Sequence, residues 1–312
     1  MTQNTNKISI YGGGGWGCAL ACQIAKIQNE VQIFLRNEQI LQEIDNYHTN
    51  KKYLTDVTLP VNIRPTTNIL DIINSEIIVI AVPSYAFGKC LYNLKLHGLR
   101  SETILLIATK GVAKDPARLL SEELESILPH RYAFISGPNF AKEVAMGLTT
   151  SITIAAIDLS LAARISDIMK SCDFITSITA DIITIQISGT IKNIIAIRSG
   201  MYKALQLGEN ARACLINEGL REIMNLSVAM GGKIETLLEV GVLGDLMLTC
   251  YSETSRNTKF GYELAISKNT LKFLENYPYL VEGRESIRLV LQLAEKYDIE
   301  LPVIAEMAMF LK

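Results

Sequence analysis

A glycine-rich segment near the start of the chain has the spacing needed to hold a phosphate group. Residues 12–17 read Gly-Gly-Gly-Gly-Trp-Gly, so the pattern G-x-G-x-x-G stands between an apolar run and a helical one. In this setting Gly12 permits a tight turn, Gly14 lets the backbone approach a pyrophosphate, and Gly17 lets helix and strand pack closely. The start of the helix offers unpaired N–H groups to the phosphates. The segment predicts a dinucleotide site, with a plain flexible turn as the alternative.

Two lysines stand beside or within apolar sequence. Lys110 follows directly on the apolar run 103–109, and Lys192 lies in a largely apolar stretch between Ile185 and Ile197. Because burying an ammonium group without compensation is costly, we expect Lys192 to face a polar cavity. The alternative is a lysine whose ammonium group reaches the surface from a helix face.

A third polar cluster lies late in the chain. Residues 252–257 read Ser-Glu-Thr-Ser-Arg-Asn, and one of the three hydroxyl residues could cap a helix that begins near Arg256. Near such a cap, Arg256 and Asn257 could hold a phosphate through charge-assisted bonds and backbone donors. The alternative is an ordinary loop with a solvated arginine.

The elements that must position these residues alternate between strand and helix in the first half of the chain. Short apolar runs predict strands over residues 7–11, 31–35, 77–82, 103–109, 133–135, 151–156 and 174–179, with a helix over 16–28. Continuous apolar runs are typical of strands buried on both faces of a parallel sheet covered by helices. Polar segments such as 108–111 and 136–141 follow these strands, at the sheet edge where ligands bind in open α/β folds.

The pattern becomes helical near Asp181. Helices are predicted over residues 189–204, 211–230, 234–238, 286–297 and 302–311. We therefore predict an α/β fold with a Rossmann-type N-terminal domain (residues 1–184) and an all-helical C-terminal domain (residues 185–312) that binds substrate and supports dimerisation.

Composition narrows the classes of function. The 30 basic and 32 acidic residues leave a formal net charge of −2, which argues against nucleic acid or an anionic membrane as partner. Residues 8–25 carry no charge, but their glycine cluster favours strand, loop and helix over a membrane span. The six cysteines form no C-x-x-C pair, so we expect small packing residues in a reducing, cytoplasmic compartment and no metal site.

Cofactor preference is expected to depend on the end of the second strand. An acidic residue there would hold the ribose of NAD, but the chain reads Leu35-Arg36-Asn37-Glu38. Arg36 could meet a 2′-phosphate or stack on adenine. Glu38 could be a solvated residue of the next helix. This reading favours acceptance of NADPH.

Taken in order along the chain, these segments resemble the bacterial NAD(P)-dependent glycerol-3-phosphate dehydrogenase family. The resemblance extends over residues 12–20, 50–60, 81–84, 108–111, 136–144, 189–193, 207–213, 244–246, 255–257 and 281–283. It implies a 6-phosphogluconate-dehydrogenase-like fold and reversible reduction of dihydroxyacetone phosphate to sn-glycerol 3-phosphate with NADP or NAD. It also implies a role in supplying phospholipid synthesis, and a homodimer.

The resemblance also implies individual roles. Lys192 is implied to be the general acid/base. The implied substrate-binding residues are Lys110, Gly137, Asn139, Lys192, Asp245, Thr249, Ser255, Arg256 and Asn257. The implied cofactor-binding residues are Gly12, Gly14, Gly15, Trp16, Gly17, Arg36, Lys110, Ala141, Arg256, Leu280 and Glu282. We expect the positive charges of Lys110 and Arg256 to lower the pKa of Lys192, and Asp245 to oppose them.

Some positions depart from the family pattern. Gly13 and Gly15 stand where the family often has Ala and then Ser or Ala, which makes the loop more flexible, and Cys18 replaces a common Thr.

Two other interpretations of the function stay open. One is a different two-domain dehydrogenase, such as a β-hydroxyacid dehydrogenase or a ketopantoate reductase. The other is a regulatory protein that senses dinucleotides without catalysis.

Overall fold

The computed structural model describes residues 7–114 and 116–311. The chain forms two compact units, one containing the residues up to Thr109 with Ser121–Ala180, the other containing Lys110–Leu120 with the residues from Asp181 onward. The units divide after Thr109, after Leu120 and after Ala180. The last of these boundaries coincides with a helix start, because Asp181 Oδ1 accepts hydrogen bonds from the N–H groups of Ile183 and Thr184 and so caps a long helix. That Lys110–Leu120 groups with the helical unit was not predicted.

The first unit is built on an eight-stranded sheet of order β10-β9-β8-β7-β6-β1-β2-β5, with a separate hairpin of β3 and β4. The strands are β1 (Ile8–Tyr11), β2 (Val31–Phe34), β3 (Thr49–Asn50), β4 (Leu54–Thr58), β5 (Ile63–Thr66), β6 (Ile77–Ile80), β7 (Ile104–Ile107), β8 (Tyr132–Ser136), β9 (Thr150–Ala155) and β10 (Phe174–Thr179). The central strands β1, β6 and β7 are buried at every residue, as their apolar runs predicted. All pairings in the large sheet are parallel except that of β8 with β9.

Helices cover this sheet. They are α1 (Gly15–Ile24), α2 (Glu38–Tyr47), α3 (Phe87–Leu96), α4 (Leu120–Ile127), α5 (Ala141–Ala145) and α6 (Leu159–Ser171). The uncharged stretch 8–25 contains β1, the glycine loop and α1. Across the described residues, no helix combines the length and apolar character that a membrane crossing requires.

The second unit is helical. Its helices are α7 (Ile182–Ala204), α8 (Glu209–Ala229), α9 (Asp245–Tyr251), α10 (Arg256–Ile266), α11 (Thr270–Asn276), α12 (Glu282–Lys296) and α13 (Pro302–Phe310). The predicted helix at Ile234–Leu238 is a short 3-10 segment, and Val240–Gly244 forms a π-helical turn directly before α9. Helices α8, α9, α10 and α12 all pack against α7.

Close glycine contacts allow α10 to approach α7. A Cβ atom on Gly200 of α7 would lie 1.9 Å from the carbonyl oxygen of Thr258, and one on Gly261 of α10 would lie 1.8 Å from that of Ile197. The two backbones therefore touch, which interfaces with larger residues do not permit. This contact joins α10 to the C-terminal half of α7, and a hydrogen bond from Asn257 to Asn193 brings the start of α10 to the residue after Lys192.

Candidate active site

The glycine loop in the first unit has the geometry of an anion site. Gly12 has φ +131°, and a Cβ there would lie 2.3 Å from the carbonyl oxygen of Ala81. A Cβ on Gly17 would lie 1.9 Å from the carbonyl oxygen of Gly12, so helix and strand meet as predicted. Gly14 is the N-cap of α1 with no side-chain hydrogen bond, and nothing lies within 4 Å of a Cβ placed on it. The start of α1 is therefore open to a phosphate group.

Side chains at the end of β2 lie in the same unit as this loop. Arg36 is exposed and immediately precedes Asn37, whose Oδ1 caps α2 by accepting from the Ile40 N–H group at 3.0 Å. Glu38 is exposed in the first turn of α2, which agrees with the solvated alternative. Gly15 and Trp16 begin α1 and are half-buried. No acidic side chain therefore stands at residues 35–37, where NAD-specific folds place one.

The loop between β8 and α5 is held against the start of β9. Asn139 donates from Nδ2 to the carbonyl oxygen of Ser151 at 3.0 Å and also to the Thr150 hydroxyl. A Cβ on Gly137 would lie 2.3 Å from the Ser151 carbonyl oxygen. Ala141 is the first residue of α5. These three predicted residues therefore form one ordered turn within the first unit.

Lys192 is buried in the middle of α7 and is 6% exposed. Its Nζ donates to Asp245 Oδ1 at 2.6 Å and to Thr249 Oγ1 at 2.9 Å. The alternative of a lysine reaching the surface is therefore wrong. The Lys192 ammonium group, on a largely apolar helix, therefore contacts the polar groups of Asp245 and Thr249. A buried charge requires such partners.

Asp245 joins two lysines. Its second oxygen, Oδ2, accepts from Lys110 Nζ at 2.7 Å, while Thr249 lies one turn on and donates from its hydroxyl to the Asp245 carbonyl oxygen at 2.6 Å. Asp245 is 2% exposed, whereas the Lys110 side chain is 23% exposed. The π-helical turn at Val240–Gly244 ends at this point, so Asp245 occupies the first turn of α9. Two cations thus contact one anion, and of the three side chains only that of Lys110 is partly exposed.

The protonation of Lys192 is shifted by its surroundings. Burial lowers the pKa of Lys192 to about 8; the Asp245 carboxylate acts against this, and the Lys110 charge adds to it. Burial raises the pKa of Asp245, but the charges of Lys110 and Lys192 outweigh burial, so the pKa of that carboxyl is lowered overall. The predicted contributions of Lys110 and Asp245 thus have the expected signs. Burial, the largest cause, was not predicted, and Arg256 is not among the main causes.

Asn193 is a site residue that the sequence reasoning did not assign. Its Oδ1 accepts from Asn257 Nδ2 at 2.9 Å, and its own Nδ2 lies 3.4 Å from Glu282 Oε2. Asn257 Oδ1 in turn accepts from the Gly283 N–H group at 3.2 Å. Asn193 follows Lys192 directly, so these bonds connect the lysine's neighbour to the first turns of α10 and α12. The available signal was an amide side chain inside an apolar helix, where it needs partners.

The start of α10 carries the predicted phosphate residues. Of the three hydroxyl candidates, Ser255 caps the helix by accepting from the Thr258 N–H group at 3.3 Å. Thr258 donates from its hydroxyl to the carbonyl oxygen of Thr249 at 2.7 Å, which ties α10 to α9. Arg256 is exposed and Asn257 is buried. Leu280 is exposed just before α12, and the placement of Arg256 relative to Lys192 stays a prediction.

Five of the six cysteines are buried. Burial raises the pKa of Cys18 to about 11 and that of Cys22 to about 12, so both thiols are neutral near pH 7 and pack in the core. All six cysteines are free, and Cys214 is exposed. Over residues 7–114 and 116–311, no group of three His, Cys, Asp or Glu side chains is arranged to hold a metal ion.

The second unit therefore holds a buried lysine–aspartate ion pair beside a capped helix start, and the first holds an open glycine loop. A protonated Lys192 can donate to an oxygen placed beside it, and a neutral Lys192 can accept a proton. The start of α10 can bind a small anion through its N–H groups. Within the second unit, these groups suit proton transfer to or from a small anionic molecule.

Comparison with protein families gives two matches that together cover most of the chain. Residues 7–162 match the model for the NAD-dependent glycerol-3-phosphate dehydrogenase N-terminus, and residues 181–312 match the model for its C-terminus. A curated relative from Rickettsia bellii (strain OSU 85-389), glycerol-3-phosphate dehydrogenase [NAD(P)+], is 50% identical over 305 residues, covering 96% of this chain and 97% of the relative.

Solved structures resemble the chain in the same way. The crystal structure of glycerol-3-phosphate dehydrogenase from Coxiella burnetii has a TM-score of 0.91 and 32% identity, covering 97% of this chain and 94% of that one. A PanE/ApbA family ketopantoate reductase from Ralstonia eutropha JMP134 has a TM-score of 0.62 at 15% identity, covering 97% and 96%. The second likeness is one of fold alone, and both confirm the predicted fold class.

Proposed function

The chain belongs to the NAD-dependent glycerol-3-phosphate dehydrogenase family, and we propose that it uses Lys192 as general acid/base to interconvert dihydroxyacetone phosphate and sn-glycerol 3-phosphate. The enzyme class is glycerol-3-phosphate dehydrogenase [NAD(P)+]. The observation that carries the proposed role is the buried ammonium group of Lys192, held at 2.6 Å from Asp245 and 2.9 Å from Thr249.

Lys192 is proposed to act on the oxygen at C2 of the substrate. When bound, the nicotinamide supplies or accepts the hydride. As negative charge develops on the C2 oxygen, the ammonium group of Lys192 donates a proton to it. In the reverse direction the neutral amine removes the alcohol proton. A positioned donor of this kind contributes about 10²- to 10⁴-fold in rate, and a pKa near the working pH serves both directions.

Asp245 and Lys110 are proposed to keep Lys192 ready for this exchange. The Asp245 carboxylate fixes the direction of the Lys192 side chain and keeps a protonated form accessible despite burial. Lys110 neutralises the same carboxylate from its other oxygen. Because the Lys110 side chain is partly exposed, it is also proposed to contact the substrate.

The substrate phosphate is proposed to lie at the start of α10. Ser255 caps that helix and occupies the Thr258 N–H group, and the N–H groups and side chains of Arg256 and Asn257 are proposed to surround the anion. Arginine offers a planar fork that matches phosphate oxygens. Phosphate binding would contribute remote binding energy that orients the carbonyl group. Gly137 and Asn139 are proposed to complete the substrate site.

The dinucleotide is proposed to bind at the glycine loop of the first unit. Gly12, Gly14, Gly15, Trp16 and Gly17 would hold the pyrophosphate at the open start of α1. Ala141, Lys110, Arg256, Leu280 and Glu282 are the other proposed cofactor residues. Exposed Arg36, with no acidic residue beside it at 35–37, favours acceptance of the 2′-phosphate of NADPH.

One assay distinguishes this function from the two alternatives, another two-domain dehydrogenase and a regulatory protein. Oxidation of NADPH and NADH is followed with dihydroxyacetone phosphate, with unphosphorylated dihydroxyacetone and with oxo acids that serve ketopantoate and β-hydroxyacid enzymes. Turnover confined to the phosphorylated ketone supports the proposal. Turnover of an oxo acid would favour the other two-domain dehydrogenases, and dinucleotide binding without turnover of any substrate would favour a regulatory protein.

The protein is further proposed to be a cytoplasmic homodimer that supplies phospholipid synthesis. Buried free thiols such as Cys18 and Cys22 suit a reducing compartment. The helical unit exposes large apolar side chains, among them Leu205, Leu207 and Leu238, which suit a subunit contact. Light scattering after gel filtration tests the assembly, and a monomer at micromolar concentration would contradict it.

A further inference from the structure

A buried amide in the β3–β4 hairpin contacts the glycine loop. Asn50 is fully buried, with no exposed surface. Its Nδ2 donates to the carbonyl oxygen of Gly13 at 3.0 Å and contacts Cys18 Sγ at 3.2 Å. One side chain thus connects the loop to the first turn of α1; Gly13 and Cys18 lie 37 and 32 residues away in sequence.

Asn50 is itself held on both sides. Glu43 of α2 accepts from the Thr49 hydroxyl at 2.8 Å and from the Lys51 N–H group at 2.8 Å. The hairpin also closes on the loop further along, since a Cβ on Gly15 would lie 2.8 Å from the carbonyl oxygen of Tyr53. The amide is therefore placed by a rigid frame, as a group that orients another must be.

The donors of Asn50 are used while its acceptor is not. Its Oδ1 is buried and has no hydrogen-bond partner within the part of the chain that the structure describes. A buried acceptor without a partner is unfavourable and calls for an explanation beyond stability. The two contacts made by Nδ2 supply such an explanation, because one is to the glycine loop and the other is to helix α1, which follows it.

The hydrogen bond from Asn50 to the Gly13 carbonyl oxygen also fixes the direction of the Gly14 N–H group, because the two groups belong to one planar peptide. In a trans peptide the C=O group of one residue and the N–H group of the next point in opposite directions. Holding the Gly13 oxygen toward buried Asn50 therefore aims the Gly14 N–H group away from the interior. Gly14 is the N-cap of α1 and has open space around it.

We propose that Asn50 is a positioning residue for the dinucleotide, which orients the Gly13–Gly14 peptide so that its N–H group faces the pyrophosphate. This inference rests on the proposed function. Four consecutive glycines make such a constraint necessary, since a loop without side chains samples many shapes. Affinity falls in proportion to the fraction of molecules that have the binding shape.

The test compares two alanine variants. Asn50→Ala removes the bond to the loop. Asn62→Ala is the matched control, because Asn62 Nδ2 also donates to two carbonyl oxygens, those of Ala25 at 2.9 Å and Gln28 at 2.8 Å, beyond the other end of α1. Kd for NADPH and NADH is measured by fluorescence titration, with Tm, kcat and the KM for dihydroxyacetone phosphate measured alongside.

Asn50→Ala is expected to raise the Kd for both dinucleotides by about 10- to 100-fold, as the loss of two buried hydrogen bonds predicts. At saturating cofactor, kcat and the KM for dihydroxyacetone phosphate should stay close to wild type. Asn62→Ala should leave Kd close to wild type even if its Tm falls. If Asn50→Ala does not fold, Asn50→Ser, which is too short to span Gly13 and Cys18, should show the same loss.

Two results would overturn the inference alone: a Kd unchanged by the Asn50 variants, or equal weakening by the Asn50 and Asn62 variants. The first would mean that Asn50 does not orient the loop, and the second that any loss of stability weakens binding. A wild-type protein that binds neither dinucleotide would instead overturn the proposed function, and this inference with it.

Discussion

Replacing Asp245 by asparagine tests the site most directly, because it removes one charge and keeps the shape. Asp245 contacts Lys192 at 2.6 Å and Lys110 at 2.7 Å, and its side chain is 2% exposed. An amide oxygen can still accept from one lysine, but it cannot offset the charge of either. Lys192 then keeps its burial and its repulsion by Lys110, which both lower its pKa, and loses the carboxylate that raised it.

The size of the shift follows from the geometry. Two unit charges about 4 Å apart interact by about 4 kcal/mol at an effective dielectric constant near 20. Each pKa unit corresponds to about 1.4 kcal/mol, so this energy corresponds to about three units, and local relaxation reduces the shift to about one to three. From a wild-type pKa of about 8, the Lys192 pKa in Asp245→Asn should fall to about 5–7.

The assay is the pH profile of kcat/KM in both directions. Ketone reduction needs protonated Lys192, so the alkaline limb of that profile should move to lower pH by about one to three units. Alcohol oxidation needs the neutral amine, so its acid limb should move the same way. The substrate phosphate titrates equally for both proteins and cancels in the comparison. Asp167→Asn serves as control, because Asp167 forms an exposed ion pair with Lys170.

Limbs that stay at their wild-type pH in Asp245→Asn would refute this reasoning, provided that the variant melts as a folded protein. Such a result would mean that Lys192 does not govern the profile or that Asp245 does not act on it. Movement of the alkaline limb to higher pH would be an equally clear contradiction, since removing an anion cannot stabilise a nearby cation.

Three further variants test separate parts of the site. Lys192→Ala should lower kcat by about 10²- to 10⁴-fold with near-normal cofactor affinity; a near-normal kcat in steady-state assays would remove Lys192 from its proposed role. Arg256→Ala should mainly raise the KM for dihydroxyacetone phosphate, by about 10- to 100-fold for lost charge-assisted bonds, and an unchanged KM would place the phosphate elsewhere. Arg36→Ala should raise the Kd for NADPH more than that for NADH in titrations, whereas equal changes would mean that Arg36 stacks on adenine instead.

Local sequence patterns predicted strands and helices well where hydrophobic burial alone determined the structure. The buried strands β1, β6 and β7 were found because an uninterrupted apolar run has few other uses. The edge strand β5 was missed because its sequence, Ile-Arg-Pro-Thr, contains a charge and a proline. Helix α7 was predicted to begin seven residues late, because its first turns are rich in β-branched isoleucine and threonine.

Local sequence patterns could not predict which residues far apart in the chain contact one another. A polar cavity was expected for Lys192 because burying an ammonium group without partners is costly, but the sequence also allowed a lysine that reaches the surface, and only the structure decided between the two. That Asp245 would join it to Lys110 depends on packing between residues 53 and 135 positions apart, which no local spacing encodes. Their pairing was anticipated only through family resemblance. Asn193 was passed over because its partners, Asn257 and Glu282, come from helices that begin more than sixty residues later.

The charges in this cluster explain why two lysines share one carboxylate. If Lys192 gives its proton to the substrate, the Lys110 ammonium group and the Asp245 carboxylate remain as an ion pair at 2.7 Å with no net charge. Without Lys110, the same step would leave the buried Asp245 carboxylate unpaired, which is strongly unfavourable. That penalty would raise the pKa of Lys192 and make it a weaker acid. Lys110 therefore assists the proposed proton transfer through Asp245, in addition to any contact that it makes with the substrate.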